Sequence, residues 1–361
     1  MTETAGITEF TNTLRALAGI VGVSGDEDAV ARAISALAAP YADETHTDAL
    51  GNLIVRRRGP GPHVMLSARM DTAGLLVTHV DAAGFARVAP VGALPLPHAL
   101  GHAFALAGGA RGVLAHEGKT APKDVTWEHC YLDFGASGRE NCAAQVGDRA
   151  ALAAETFVAG SRVVSPGLSG RAGCAVLLRV LAQMRPPACC DLSFVFTAQG
   201  ALGARGARTA SYALAPAWAV SVGVSETGDT PESAHKNEVT LGGGGALRVM
   251  DDTLITPAPL LRLLEDTARA RQIPLQRAVP PRGGSDAGAV LISRSGVPAG
   301  AVDIPVRYAH TAVETADLRD FISCSDLIAA LPAAFSALEA GGNAEETGGN
   351  AENDLTRRLS T

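Results

Sequence analysis

Aromatic residues are scarce in this sequence, at 4% of the chain, and it contains neither a long basic run nor a paired Cys-x-x-Cys spacing. Without large rings, a core must be packed from small and aliphatic side chains, which abundant Ala and Gly supply within a 47% hydrophobic composition. Without a basic run, and with a formal charge of -7 and a pI near 5.7, the chain has no means of gripping a phosphate backbone by charge. Nucleic acid is therefore excluded as an expected partner. Six cysteines, at 130, 142, 174, 189, 190 and 324, have neither zinc-knuckle spacing nor the density of a disulfide scaffold, so reduced thiols are expected. The adjacent Cys189 and Cys190, just before an apolar strand, read as packing rather than as a redox or metal site. The opening residues, MTETAGITEF, show no basic region followed by an apolar stretch, and no run of about eighteen apolar residues is free of charge. The expectation is a cytoplasmic chain with no membrane partner.

What is present is an alternation of periods. The 361 residues suffice for one large or two ordinary domains. From 8 to 40, Leu14, Leu17 and Ile20, then Val30, Ile34 and Leu37, recur at helical spacing around a GVSGDED turn, in which Ser24 or Asp26 is expected to cap the second helix. DALGNLIVRRR and HVMLSARMD read as strands. From Thr72 to about Arg162 short alternating segments are punctuated by Gly, Pro and His, as in an inserted all-β unit. Helical GCAVLLRVLAQM, strand DLSFVFTAQ, helix-prone ARTASYAL, strand WAVSVGV, a helix from about Pro257 to Gln272 and strand GAVDIPVRY then alternate as an α/β sheet requires. The polar, Gly-rich end, in which GGNAE occurs at 341–345 and again at 348–352, is expected to be disordered.

Five segments in order carry a resemblance over nearly the whole chain: LSARMDTAGLLV (66–77), GLSGRAGCAVLL (167–178), FTAQGALGARGA (196–207), VGVSETGDTP (222–231), and GGSDAGAV with IPVRYAHTAVE (304–314). They resemble the glutamyl or tetrahedral aminopeptidase family, cytosolic enzymes in which two divalent metals, such as zinc, cobalt or manganese, activate a water against an N-terminal peptide bond. The β insert also sits where the family has its second domain. The resemblance implies a three-layer α/β/α aminopeptidase-like domain, 1–71 with 163–340, carrying an inserted barrel-like β domain at 72–162 and a disordered tail at 341–361. It also implies homo-oligomers, dimers or larger.

The same resemblance tests the site residue by residue. A two-metal hydrolase needs oxygen or imidazole ligands on both ions, a bridging carboxylate and a carboxylate base. The family's first His ligand falls on Arg69, a permanent cation. Its bridging Asp falls on Ser169, its adjacent base and ligand Glu pair on Gly200 and Ala201, and its further Asp ligand on Gly223. His310 alone matches a ligand position, and Asp71 survives at a position that orients the missing His. The expected pocket is thus Arg69, Asp71, Ser169, Gly200, Ala201, Gly223, Asp286 and His310, with no catalytic base at Gly200 and no metal cofactor. Residues two apart on a strand share a face, so an Arg69–Asp71 ion pair is expected. His310 is expected to be satisfied near Tyr308 or Glu314.

Other constellations are weaker. His98 and His102 have helical metal-ligand spacing in a Pro-rich, loop-like context. The run of four glycines at 242–245 lacks the residues of a phosphate loop and reads as a turn. Ser169 lies outside a Gly-x-Ser-x-Gly elbow, which leaves a Ser169–His310 hydrolase a minor alternative. The leading reading is a degenerate, non-peptidase member serving as a structural, regulatory or ligand-binding partner, for instance of an active paralogue or pathway protein. An enzyme with altered chemistry on a peptide or amino-acid derivative is the second reading, and an aminopeptidase with non-standard ligands the third.

Overall fold

The computed structural model describes residues 3–184, 188–233, 238–280 and 282–346. Its main sheet runs, edge to edge, Glu44–Thr47, Leu53–Arg57, Cys190–Thr197, Gly61–Arg69, Trp218–Ser221, Ala299–Val306, Gly245–Arg248 and Leu275–Ala278, with Val224–Glu226 beside Ala299–Val306. The four central strands are mutually parallel, and the hairpin at one edge joins them antiparallel. Such a sheet must be covered on both faces. Strand alternation does this: Val64, Leu66 and Ala68 enter the core shared with the helices Glu3–Ala18, Asp28–Ala38, Leu168–Gln183, Ala258–Ala270 and Leu318–Glu346. Met65, Val195, Ala219, Ala299 and Ala301 face the opposite way, against Ala207 and Ala210 of Arg205–Leu214 and Ala287 and Val290 of Asp286–Leu291.

Between Gly74 and Leu152 six strands close into an antiparallel barrel with its own core, centred on Leu75, Val77, Phe104, Leu114 and Leu132. The hairpin strands Phe157–Ala159 and Arg162–Ser165 then pair with Glu314–Asp317 in a separate three-stranded sheet.

Small residues permit close approach, as the composition suggests. Gly170 and Gly173 bring the helix Leu168–Gln183 so near the sheet that a Cβ would lie 1.9 Å from the Asp71 carbonyl oxygen and 2.1 Å from that of Val222, respectively. The glycine run is a turn, and it cradles a carboxylate: the Gly242 and Gly244 N–H groups each donate to Asp320 at 2.8 Å. Burial pushes the Asp320 carboxyl up to about 7 against those bonds.

Several expectations differ from the structure. Helix Asp28–Ala38 starts behind Glu27 with no side-chain cap. Ser24 is drawn away by a buried acceptor, since its hydroxyl donates to Asp71. The segment Leu318–Glu339 is long and apolar enough to cross a membrane by composition, but half of it is buried, with Phe321, Leu327, Leu331 and Phe335 in the main core. Of the tail, 341–346 continues the last helix, and 347–361 lies outside the described residues. The cysteines form no disulfide among the described residues, and Cys189 is exposed.

Candidate functional site

Period-two alternation places Ser67 and Arg69 on the same face as Met65, beside Thr197, Ser221 and Asp303 of neighbouring strands. These lie toward the carboxyl ends of the parallel strands, where open α/β sheets bind ligands. A cleft of about 960 Å³ opens there. Arg69, Ser169, Gly200, Ala201, Gly223, Asp286 and His310 all line it, and Pro95 and His98 contribute from the barrel. Of the residues expected in the pocket, only Asp71 is absent from the lining, because it is fully buried beneath.

Asp71 is saturated by donors. Arg69 Nε donates to its Oδ1 at 3.2 Å, so the expected ion pair is formed, and Arg69 Nη2 reaches the Asp71 carbonyl. Gly200 N–H donates to Oδ1 at 3.0 Å, Ala201 N–H to Oδ2 at 2.8 Å, and the Ser24 hydroxyl to Oδ2 at 2.5 Å. Burial works against ionisation here, but Arg69, Ser24 and the Ala201 amide outweigh it and hold the carboxyl below its usual range. No room remains above this arrangement: a Cβ on Gly200 would lie 2.8 Å from both Arg69 Cβ and Asp71 Oδ1.

Ser169 donates its backbone N–H to the buried Glu314 carboxylate at 3.0 Å, and its hydroxyl also serves Glu314. It is therefore not paired with His310. The expectation that His310 would be satisfied near Tyr308 or Glu314 is corrected. Glu314 accepts the His310 backbone N–H, whereas ring Nδ1 is buried with no partner among the described residues. His310 sits in the left-handed region, at φ 62°, in the turn after the strand Ala299–Val306, and lines the cleft. Burial lowers its pKa to about 4, assisted by Arg69 and then His98, so the imidazole is neutral at pH 7. A proton NMR titration of the His310 ring should find a midpoint near 4, and Arg69→Met should move it upward; an unmoved midpoint would exclude the coupling.

Asp286, at the start of its short helix, accepts the Thr197 hydroxyl at 2.9 Å. Burial raises its pKa to about 6, restrained by Thr197, Arg69 and Ser67. His98, in the turn Leu96–Ala99, lines the cleft, whereas His102 lies exposed beyond that turn, so the pair makes no joint site. Residues that sequence reasoning missed include Ser221, Ser225, Arg208, Arg282, Asp303 and Arg248, all of which line the cleft. A usable signal was present: one Asp inside the apolar run GAVDIPV and one Arg inside GALRVM are charges that must find partners when buried.

Comparison with known proteins follows this geometry. A family model described as M42 glutamyl aminopeptidase matches residues 51–327. A protein of Acetivibrio thermocellus, provisionally named an aminopeptidase, is 37% identical over 318 residues, covering 87% of this chain and 96% of its own. An aminopeptidase structure from the archaeon Desulfurococcus kamchatkensis superposes with a TM-score of 0.87 at 29% identity, covering 92% of this chain and 98% of that one. The Pyrococcus horikoshii TET1 peptidase, described as assembling into a tetrahedron or a large octahedral shell, superposes with a TM-score of 0.81 at 25% identity, over 90% of this chain and 99% of that one.

The expectation of no cofactor is corrected by the family match, because M42 aminopeptidases use divalent metals. The donors at the expected positions nonetheless do not fit a two-ion centre. Among the described residues, no group of three or more His, Cys, Asp or Glu side chains is placed to hold an ion. Both Asp71 oxygens are already occupied by donors, and the Arg69 guanidinium that lines the cleft is a permanent cation, which cannot ligate a metal ion.

Proposed function

This chain belongs to the M42 glutamyl aminopeptidase family, and from that premise we propose that it is a catalytically degenerate member whose cleft binds a peptide or amino-acid-derived ligand without cleaving it. The Arg69–Asp71–Gly200 arrangement carries this reading. Peptide hydrolysis requires a base within reach of the attacking water. At the position where the resemblance puts that base, this chain has only backbone, and the backbone N–H is committed to Asp71. A larger residue there is opposed by Arg69 and Asp71 themselves.

The test is an aminopeptidase assay on the full chain with leucyl and glutamyl p-nitroanilides, each with added zinc, cobalt or manganese. Rates should stay at the uncatalysed background. Gly200→Glu should lower stability and restore nothing. Turnover by the unmodified chain with any of these metals would overturn the proposal.

Homo-oligomeric assembly belongs to the same proposal, supported by the shells described for the Pyrococcus horikoshii relative. So do a cytoplasmic location, an intact relative or pathway protein as partner, and the division of the chain at 71/72 and 162/163, which the barrel between Gly74 and Leu152 supports. One observation favours a second reading, an enzyme with altered chemistry on the same ligands. Asp286, with a pKa of about 6, and a neutral His310 line one cleft and have the range of an acid–base pair. That reading requires a turnover that Asp286→Asn abolishes.

A further inference from the structure

We propose that Arg69, His98 and His310 form a site for an oxyanion, the phosphate or carboxylate group of a ligand, in the part of the cleft where the family resemblance places two metal ions. This rests on the reading that the cleft takes a ligand in place of those ions. All three side chains line the cleft, Arg69 and His310 from the main domain and His98 from the barrel side. A guanidinium has five N–H donors. Asp71 engages Arg69 only through Nε and Nη2, which leaves Nη1 without a partner among the described residues. His310 Nδ1 is buried and also unpartnered among them. Buried polar atoms are nearly always paired, so an orphan beside the cleft marks a place where a ligand supplies the partner.

The walls around these groups hold few acids. Ser169, Gly200, Ala201 and Gly223, which stand where the resemblance expects carboxylates, line the same cleft and carry no side-chain charge. Gly200 lies directly on the Arg69 side chain, since a Cβ there would be 2.8 Å from Arg69 Cβ and 3.3 Å from its Cδ. After burial, Arg69 and His98 are what lower the His310 pKa, as positive charges do when no counter-ion separates them. An anion supplies that counter-ion, and the planar guanidinium fork fits the paired oxygens of a carboxylate or phosphate.

Two carboxylates stand close by. Glu314 is fully buried, with its oxygens on the backbone N–H groups of Ser169 and His310. Asp286 accepts the Thr197 hydroxyl and is faced by Arg69, Asp71 and Ser67. Burial raises both carboxyls toward the neutral form, Asp286 to about 6. An anion beside Asp286 favours its protonated form further, so binding should tighten as pH falls from 8 to 6.

The experiment follows thermal unfolding of the full chain in sulfate, a tetrahedral stand-in for phosphate that does not titrate in this range, and in acetate, each against chloride at equal ionic strength. Midpoints that rise with concentration give an apparent Kd. A rise with sulfate alone identifies a phosphate-bearing ligand, with acetate alone a carboxylate, and with both the shared chemistry; each supports the site. Arg69→Met, and His98→Ala at an exposed position, should each raise the Kd about ten-fold or more, measured from the variant's own midpoint in chloride. Asp286→Asn should tighten binding at pH 8 and remove its pH dependence. No rise beyond chloride, a Kd unchanged in both Arg69→Met and His98→Ala, or tighter binding at pH 8 than at pH 6 would overturn the proposal. Zinc chloride is run beside the oxyanions. A saturable rise with zinc would sink the metal-free reading, and the oxyanion site would still be judged on sulfate and acetate alone.

Discussion

Replacing Arg248 with methionine is expected to destabilise the chain by about 3–5 kcal/mol, the usual cost of breaking a buried ion pair from one side. Arg248 is 5% exposed, and its donors reach Asp303, Asp251 and the Val224 carbonyl. Burial alone would penalise the guanidinium, but Asp303 and Asp251 hold its pKa above the ordinary value. Removing it strands two carboxylates in the interior. Asp251 keeps the N–H groups of Thr253 and Leu254 and the hydroxyls of Thr253 and Ser285, whereas Asp303 loses both guanidinium donors on Oδ2 and keeps only the Gly223 backbone N–H. The loss should therefore fall mainly on Asp303. Urea unfolding of Arg248→Met, Asp303→Leu and the double variant measures this. The double variant should be more stable than the sum of the two single losses, with a coupling of about 1 kcal/mol or more. A single-variant loss below about 1 kcal/mol would show that the network contributes little.

Gly170→Ala should reverse the usual sign of a helix substitution. Inside a helix alanine is normally better than glycine by about 1 kcal/mol. Here the added Cβ would meet the Asp71 carbonyl oxygen at 1.9 Å, and that backbone cannot withdraw without dragging Asp71 from Arg69, Ser24 and the amides of Gly200 and Ala201. A net loss of about 3 kcal/mol, the upper part of the overpacking range, is expected. Gly19 is the control, because a Cβ there meets nothing within 4 Å, and Gly19→Ala should change stability by less than about 0.5 kcal/mol. Equal midpoints for the two variants in thermal unfolding would contradict the contact.

The two kinds of result have different origins. Helical and strand periods, the punctuated stretch after Thr72 and the ordered motifs determined the α/β architecture, the barrel and the family, because each is local or repeats along the chain. The identities of Arg69, Ser169, Gly200, Ala201 and Gly223 were legible for the same reason, and so was the Arg69–Asp71 pair, whose partners are two residues apart on one face. Only tertiary structure decided that Asp71 is saturated, that His310 Nδ1 is buried with no partner among the described residues, and that Gly223 meets Asp303 eighty positions along the chain. Those facts depend on the register between parallel strands joined by long crossovers. No local period encodes that register; the sequence shows only that a charge inside an apolar strand must find a partner once water is removed.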